Sequence, residues 1–241
     1  MTRLAQRLGL EGYGPVRKAY AETVRNGSLD FSEKAETQIA TQKLKGDQAL
    51  AAGIVSSTID QISKLMDPSI LDSLSAAASS LALARRVYCL GLRSSHPVTW
   101  YFHYILSLLG DRAVLLDALG AVGADPFRAA TESDVLLVAS VHPYTRATVE
   151  IARYAASRGV PIIAITDSEV APLAQVAKHA ILVATESPSF FHTMAPAFVV
   201  AEVLSALVTG HGGEKALEAI RHTEEQLAAF KIHFRPRGTR R

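Results

Sequence analysis

Residues 134–146 read DVLLVASVHPYTR. The aliphatic run from Val135 to Ala139 carries no charge and stops at Ser140, after which a small polar loop presents His142, Pro143, Tyr144, Thr145 and Arg146. Beyond the loop, apolar residues return at helical spacing through Ser157. The stretch predicts a buried strand that delivers a hydroxyl-rich loop to a helix N-terminus. Backbone N–H groups are unpaired there and the helix dipole adds roughly half a positive charge, so such a turn accepts an anion.

The same strand-then-helix pattern extends in both directions from this stretch. Short apolar runs bounded by charge or turn residues predict further strands at 87–92, 113–116, 161–166 and 180–184. Helical patterns fall at 97–109, 145–158, 170–177 and 189–208, and an amphipathic helix is expected at 213–230. Hydrophobicity in the strands is continuous rather than alternating, which implies burial on both faces and hence an α/β fold with a five-stranded parallel sheet between helical layers. Ligands of such folds bind outside the carboxyl ends of the strands. Upstream, 32–45, 48–66 and 68–84 read as three helices, with Ile54, Ile59, Ile62 and Leu65 near one face of the middle one. These suit a linker or a dimer interface.

Two more loops share the chemistry of 140–146. After the strand VYCLGL, the run Gly91-Leu92-Arg93-Ser94-Ser95 gives a tight exit, a helix-capping serine and a positive charge. After the fifth strand comes Glu186-Ser187-Pro188-Ser189-Phe190-Phe191. Three hydroxyl-bearing loops at equivalent strand ends point to one shared pocket. GLRSS, SVHPYTR, AITDSEVAPLAQVA and ESPSFF together resemble the sugar isomerase (SIS) domain, whose G-x-G-x-S, S-x-S-G-x-T and Glu-containing loops correspond to positions within 86–208. The resemblance implies a Rossmann- or flavodoxin-like SIS sandwich that binds phosphosugars or related carbohydrate derivatives. It implies ligand contacts from Ser94, Ser95, Ser140, Thr145 and Glu186, and the loops themselves offer Arg93, His142, Tyr144, Arg146, Ser187 and Ser189 as further candidate contacts. Where the family has Ser and Gly in the second loop, this chain has His142 and Pro143. Proline removes an N–H and fixes φ, so the loop is stiffer and has one phosphate donor fewer. Asp167-Ser168, after the fourth strand, reads as the cap of the helix at 170–177.

At the other end, TRLAQRLGLEGYGPVRKAYAE has helical spacing over 2–8, a glycine-rich break, and a second helix at about 15–24. It resembles the end of the helix-turn-helix domain of RpiR-like (MurR/RpiR) transcription regulators, and the resemblance places Thr2, Arg3 and Arg7 on a DNA-recognition helix. Met1 falls where that family has passed its first helices, which implies either a start further upstream or a lost DNA-binding module. The Asn26-Gly27-Ser28 turn marks a boundary. The expected organisation is a helix-turn-helix remnant at 1–28, a helical linker or dimerisation segment at 29–85, the SIS domain at 86–210, and a C-terminal helix with a basic tail at 211–241.

The 241 residues are enough for one sizeable core, and the net charge of +2 alone does not mark a nucleic-acid binder. No long uninterrupted apolar run or leader-like opening is evident, which predicts a cytoplasmic protein with no membrane partner. Cys89 has no partner for an internal disulfide and reads as a core residue; the histidines lack metal-ligand spacing, so neither a metal nor another cofactor is expected. The expected function is a ligand-responsive regulator acting as a homodimer or homotetramer, with a phosphosugar-like effector and DNA as partners. The alternative is an aldose-ketose isomerase in which Glu186 is the base and His142 or His192 assists ring opening.

Overall fold

A computed structural model describes residues 31–117 and 123–234. The proposed DNA-reading residues Thr2, Arg3 and Arg7, the glycine-rich turn, the Asn26-Gly27-Ser28 boundary and the arginine-rich tail lie outside those residues. The described elements are α1 (Phe31–Lys45), α2 (Asp47–Ser63), α3 (Pro68–Leu83), β1 (Val87–Gly91), α4 (His96–Ser107), β2 (Ala113–Leu116), β3 (Val135–Ala139), α5 (Arg146–Ser157), β4 (Ile162–Thr166), β5 (His179–Leu182) and α6 (Ala195–Ala229).

The five strands form one parallel sheet in the order β2-β1-β3-β4-β5. Every residue of β1, β3 and β4 is buried, whereas the edge strands β2 and β5 are mostly half-buried, which is why the central runs are uninterruptedly apolar. Successive side chains go to opposite faces and feed two cores. On one face Val87, Cys89, Leu137, Ile163 and Ile165 pack with residues of α3, α4 and the first half of α6. On the other, Tyr88, Leu90, Leu136, Val138 and Ile162 pack with Phe127 and with Val149, Ala152 and Ala155 of α5. Cys89 is fully buried, and desolvation raises its thiol pKa, consistent with a packing role.

Three elements differ from their sequence patterns. Residues 170–177 form successive turns instead of a helix: Pro172 has no N–H to give, and buried Ala171 and Leu173 pin the segment to the core. The helix expected from 189 begins at Ala195. Before it, the Ser187, Ser189 and Thr193 hydroxyls each accept the N–H two residues on, offering the backbone an alternative to helical pairing. The break expected before 213 is a kink inside α6, where Gly213 takes φ 52° and ψ −134°. By length and composition alone α6 is long and apolar enough to cross a membrane, but Ala197, Val200, Ala201, Leu204 and Val208 along its first half are buried in the core.

The chain divides into two compact units. The larger, Thr58–Thr185 with Thr193–Arg241, contains the sheet. The smaller comprises the residues up to Ser57 with Glu186–His192. Within it, Gln38 of α1 accepts the Phe190 N–H at 2.8 Å, and the Phe31 ring stacks on Phe191 at 5.3 Å. Those contacts hold the Glu186 segment to a helix that has no buried residue of its own.

Candidate functional site

In the order β2-β1-β3-β4-β5 the chain reverses direction across the sheet between β1 and β3, and the crevice outside their carboxyl ends is where such sheets bind ligands. Gly91 pairs with Ala139 and Ala139 with Ile165, so the loops leaving β1, β3 and β4 start at one level.

The loop after β1 folds as a short 3-10 turn, Arg93–Ser95, leading into α4. Gly91 is required by close approach: a Cβ there would lie 2.6 Å from both the Ser95 carbonyl oxygen and Thr99 Oγ1. His96 Nδ1 is 3.3 Å from the Gly91 carbonyl oxygen, and the Ser95 N–H donates to the Leu92 carbonyl at 3.2 Å. Ser95 is buried, Ser94 half-buried and Arg93 exposed. Arg93 adopts φ 56°, a left-handed conformation that costs a side-chain-bearing residue about 1 kcal/mol or more. Such strain clusters at binding sites, and it gives a test. Arg93→Gly is expected to raise stability by roughly 1 kcal/mol in chemical denaturation while weakening anion binding. A stability loss in that variant would show that the Arg93 side chain supports the fold.

The loop after β3 is held from within and from β4. Ser140 is buried, and its Oγ accepts the Thr145 N–H at 3.3 Å across the loop. The Ser140 N–H donates to the Ile165 carbonyl, and the Thr166 hydroxyl donates to the Ser140 carbonyl at 2.8 Å. Asp167 Oδ2 accepts the His142 N–H at 3.0 Å, and the Asp167 carboxylate stands near the Tyr144 phenol. Burial, reinforced by that carboxylate, raises the Tyr144 phenol above its ordinary pKa. His142 and Pro143 are exposed, joined by a cis peptide bond, and the His142 and Tyr144 rings meet edge to face.

At the end of this loop α5 begins open. Thr145 is its N-cap residue, yet the Thr145 side chain caps nothing, and the first turn carries no acidic residue. Thr148, in the same turn, is fully buried and its hydroxyl has no partner. By contrast, α3 starts sealed, with Asp67 accepting the Ser69 N–H at 2.9 Å. The α5 terminus therefore presents first-turn donors that no side chain caps, as does the start of α4 behind Ser95.

The structure thus brings Arg93, Ser94 and Ser95 to one strand end, and Ser140, His142, Tyr144, Thr145 and Arg146 to the neighbouring one. Arg146 is exposed and its Nε lies 2.6 Å from Glu150 on α5, so its charge is already paired. Glu186, Ser187 and Ser189 are carried by the smaller unit, where the Ser187 and Ser189 hydroxyls close turns. Asp167 escaped the sequence reading because an Asp-Ser after a strand looks like a helix cap; no helix follows it, and its partner His142 lies 25 residues away. Among the described residues no group of three His, Cys, Asp or Glu is placed to hold a metal ion. A separate concavity of about 980 Å³, lined by Tyr104, Leu108, Ile220 and Leu227 among others, lies along α4 and the distal half of α6, away from the strand ends.

The SIS domain family model matches residues 80–208. Among solved structures, the sugar isomerase domain of an RpiR transcription factor from Sphaerobacter thermophilus is 26% identical with a TM-score of 0.67, covering 73% of this chain and 98% of that one. The Vibrio vulnificus NanR protein complexed with ManNAc-6P is 21% identical with a TM-score of 0.61, covering 95% of this chain and 80% of that one. Phosphoheptose isomerase GmhA from Neisseria gonorrhoeae is 17% identical with a TM-score of 0.54, covering 68% and 97%. A comparison with curated proteins finds no sequence match.

Proposed function

The chain belongs to the SIS domain family, and we propose that it is a ligand-responsive transcription regulator of the RpiR type. Its effector is a phosphosugar or related carbohydrate derivative, whose anionic end sits at the open first turn of α5. The observation that carries this reading is that Thr145 leaves that turn uncapped in a crevice also edged by Arg93 and Ser94. The regulator role is supported by the likeness to the RpiR sugar isomerase domain and by the helix-turn-helix resemblance of residues 2–22. Exposed Ile39, Leu44, Val55 and Ile59 on α1 and α2 favour a homo-oligomer. A ligand shifts such a regulator between states only as far as it prefers one of them.

The family fold also serves isomerases, GmhA among them, so the experiment must separate the two. Gel-shift titration of the full chain against the promoter beside its own gene is expected to show salt-dependent binding that a sugar phosphate changes. Incubation with a panel of aldose phosphates is expected to yield no ketose. Ketose formation that Glu186→Gln abolishes, with no DNA shift, would establish the isomerase instead.

A further inference from the structure

We propose that Asp167 is the positioning residue of the ligand loop: its carboxylate, just after β4, holds the backbone N–H of His142, the residue that precedes Pro143. The proposal rests on the reading above, that this loop receives a ligand. Pro143 has no N–H with which to close the loop, and the family's glycine is absent at that position. Closure comes instead from the end of β4. Thr166 holds the Ser140 carbonyl where the loop begins, and Asp167 holds the His142 N–H. Ser140 then takes the Thr145 N–H and fixes where α5 starts. One half-buried side chain thereby sets the path of the backbone up to the helix terminus.

The arrangement also assigns the donors. The His142 N–H is already given to an internal acceptor, so from this side of the crevice the ligand's anionic group is left with the first-turn N–H groups of α5 and the Thr145 hydroxyl. The loop consequently offers a smaller donor set than a Ser-Gly loop, and its geometry depends on a residue that touches no ligand.

The test uses the full chain and inorganic phosphate as probe, titrated while the Thr145 to Thr148 amides are followed by NMR, together with hydrogen exchange at the His142 N–H. In Asp167→Ala, phosphate affinity is expected to fall about tenfold and His142 exchange to accelerate by a similar factor. Asp167→Asn, which keeps an acceptor oxygen, is expected to restore most of both. Unchanged affinity and exchange in Asp167→Ala would overturn the proposal. So would a failure of Asp167→Asn to rescue, or an affinity loss that merely follows a lower melting temperature. If the wild type binds no phosphate while exchange still quickens in Asp167→Ala, the ligand reading fails and the clip is only structural.

Discussion

Gly91→Ala is expected to lower the stability of the chain by roughly 3 kcal/mol, because a methyl group cannot enter a packed strand end without moving its neighbours. At this size of domain that corresponds to a melting temperature about 6–12 °C lower. The cause is local and geometric. The added Cβ would fall 2.6 Å from the Ser95 carbonyl oxygen, which is backbone, and 2.6 Å from Thr99 Oγ1, whose residue is fully buried. Neither can swing away as the tip of a long side chain would. The 3-10 turn Arg93–Ser95 must shift as a body, taking the loop beside β3 with it. Two measurements therefore move together: the melting temperature and the affinity for an anionic ligand. A Gly91→Ala protein with wild-type stability would show that the turn is looser than the close contacts require.

Asp134→Ala is expected to cost a comparable 2–4 kcal/mol at neutral pH, for a different reason. Asp134 opens the stretch 134–146, and its side chain is fully buried just before β3. Its Oδ2 accepts the Thr131 N–H at 2.7 Å, the Thr131 hydroxyl at 3.1 Å and the Arg85 guanidinium at 2.7 Å. Removing the carboxylate leaves those donors unmet at the entrance to the central strand. Burial opposes the charge on Asp134, but the Thr131 N–H and hydroxyl and the nearby guanidinium outweigh it and hold its pKa below the ordinary carboxylate value.

The sign follows from linkage. A depressed carboxylate contributes stability that is fully present above about pH 4, its unfolded-state pKa, and is lost as the pH falls through the lower folded value. The stability difference between wild type and Asp134→Ala is therefore expected to stay constant from neutrality down to about pH 4 and to narrow below it. Denaturant melts at a series of pH values measure this directly; a gap that widens on acidification would contradict the account.

The sheet was legible because the central strands are buried on both faces, and a run such as VLLVA carries that fact in its composition. The ligand loops were legible as strand ends followed by hydroxyls. What the sequence does not display is how those hydroxyls are used. Ser140 reads as an outward donor, yet it is buried and occupied with the Thr145 N–H, while Arg146 pairs along its own helix. Asp167 reads as a helix cap instead, since a hydrogen bond from His142 to a carboxylate just after the next strand has no period and no spacing rule. The turns at 170–177 and the late start of α6 have the same origin: side-chain hydroxyls, a proline and buried anchor residues override a weak helical pattern.

The central claim is that the open terminus of α5 binds the anionic end of a carbohydrate derivative, and thermal denaturation against a panel of sugar phosphates, ManNAc-6P among them, tests it most directly. At about a hundred times its dissociation constant, a true ligand is expected to add roughly 2.7 kcal/mol of stability. Its unphosphorylated sugar is expected to give little of that effect, and Thr145→Ala to lose most of the response with a nearly unchanged unliganded melting temperature. Equal stabilisation of wild type and Thr145→Ala, or an equal response to the unphosphorylated sugar, would contradict the account.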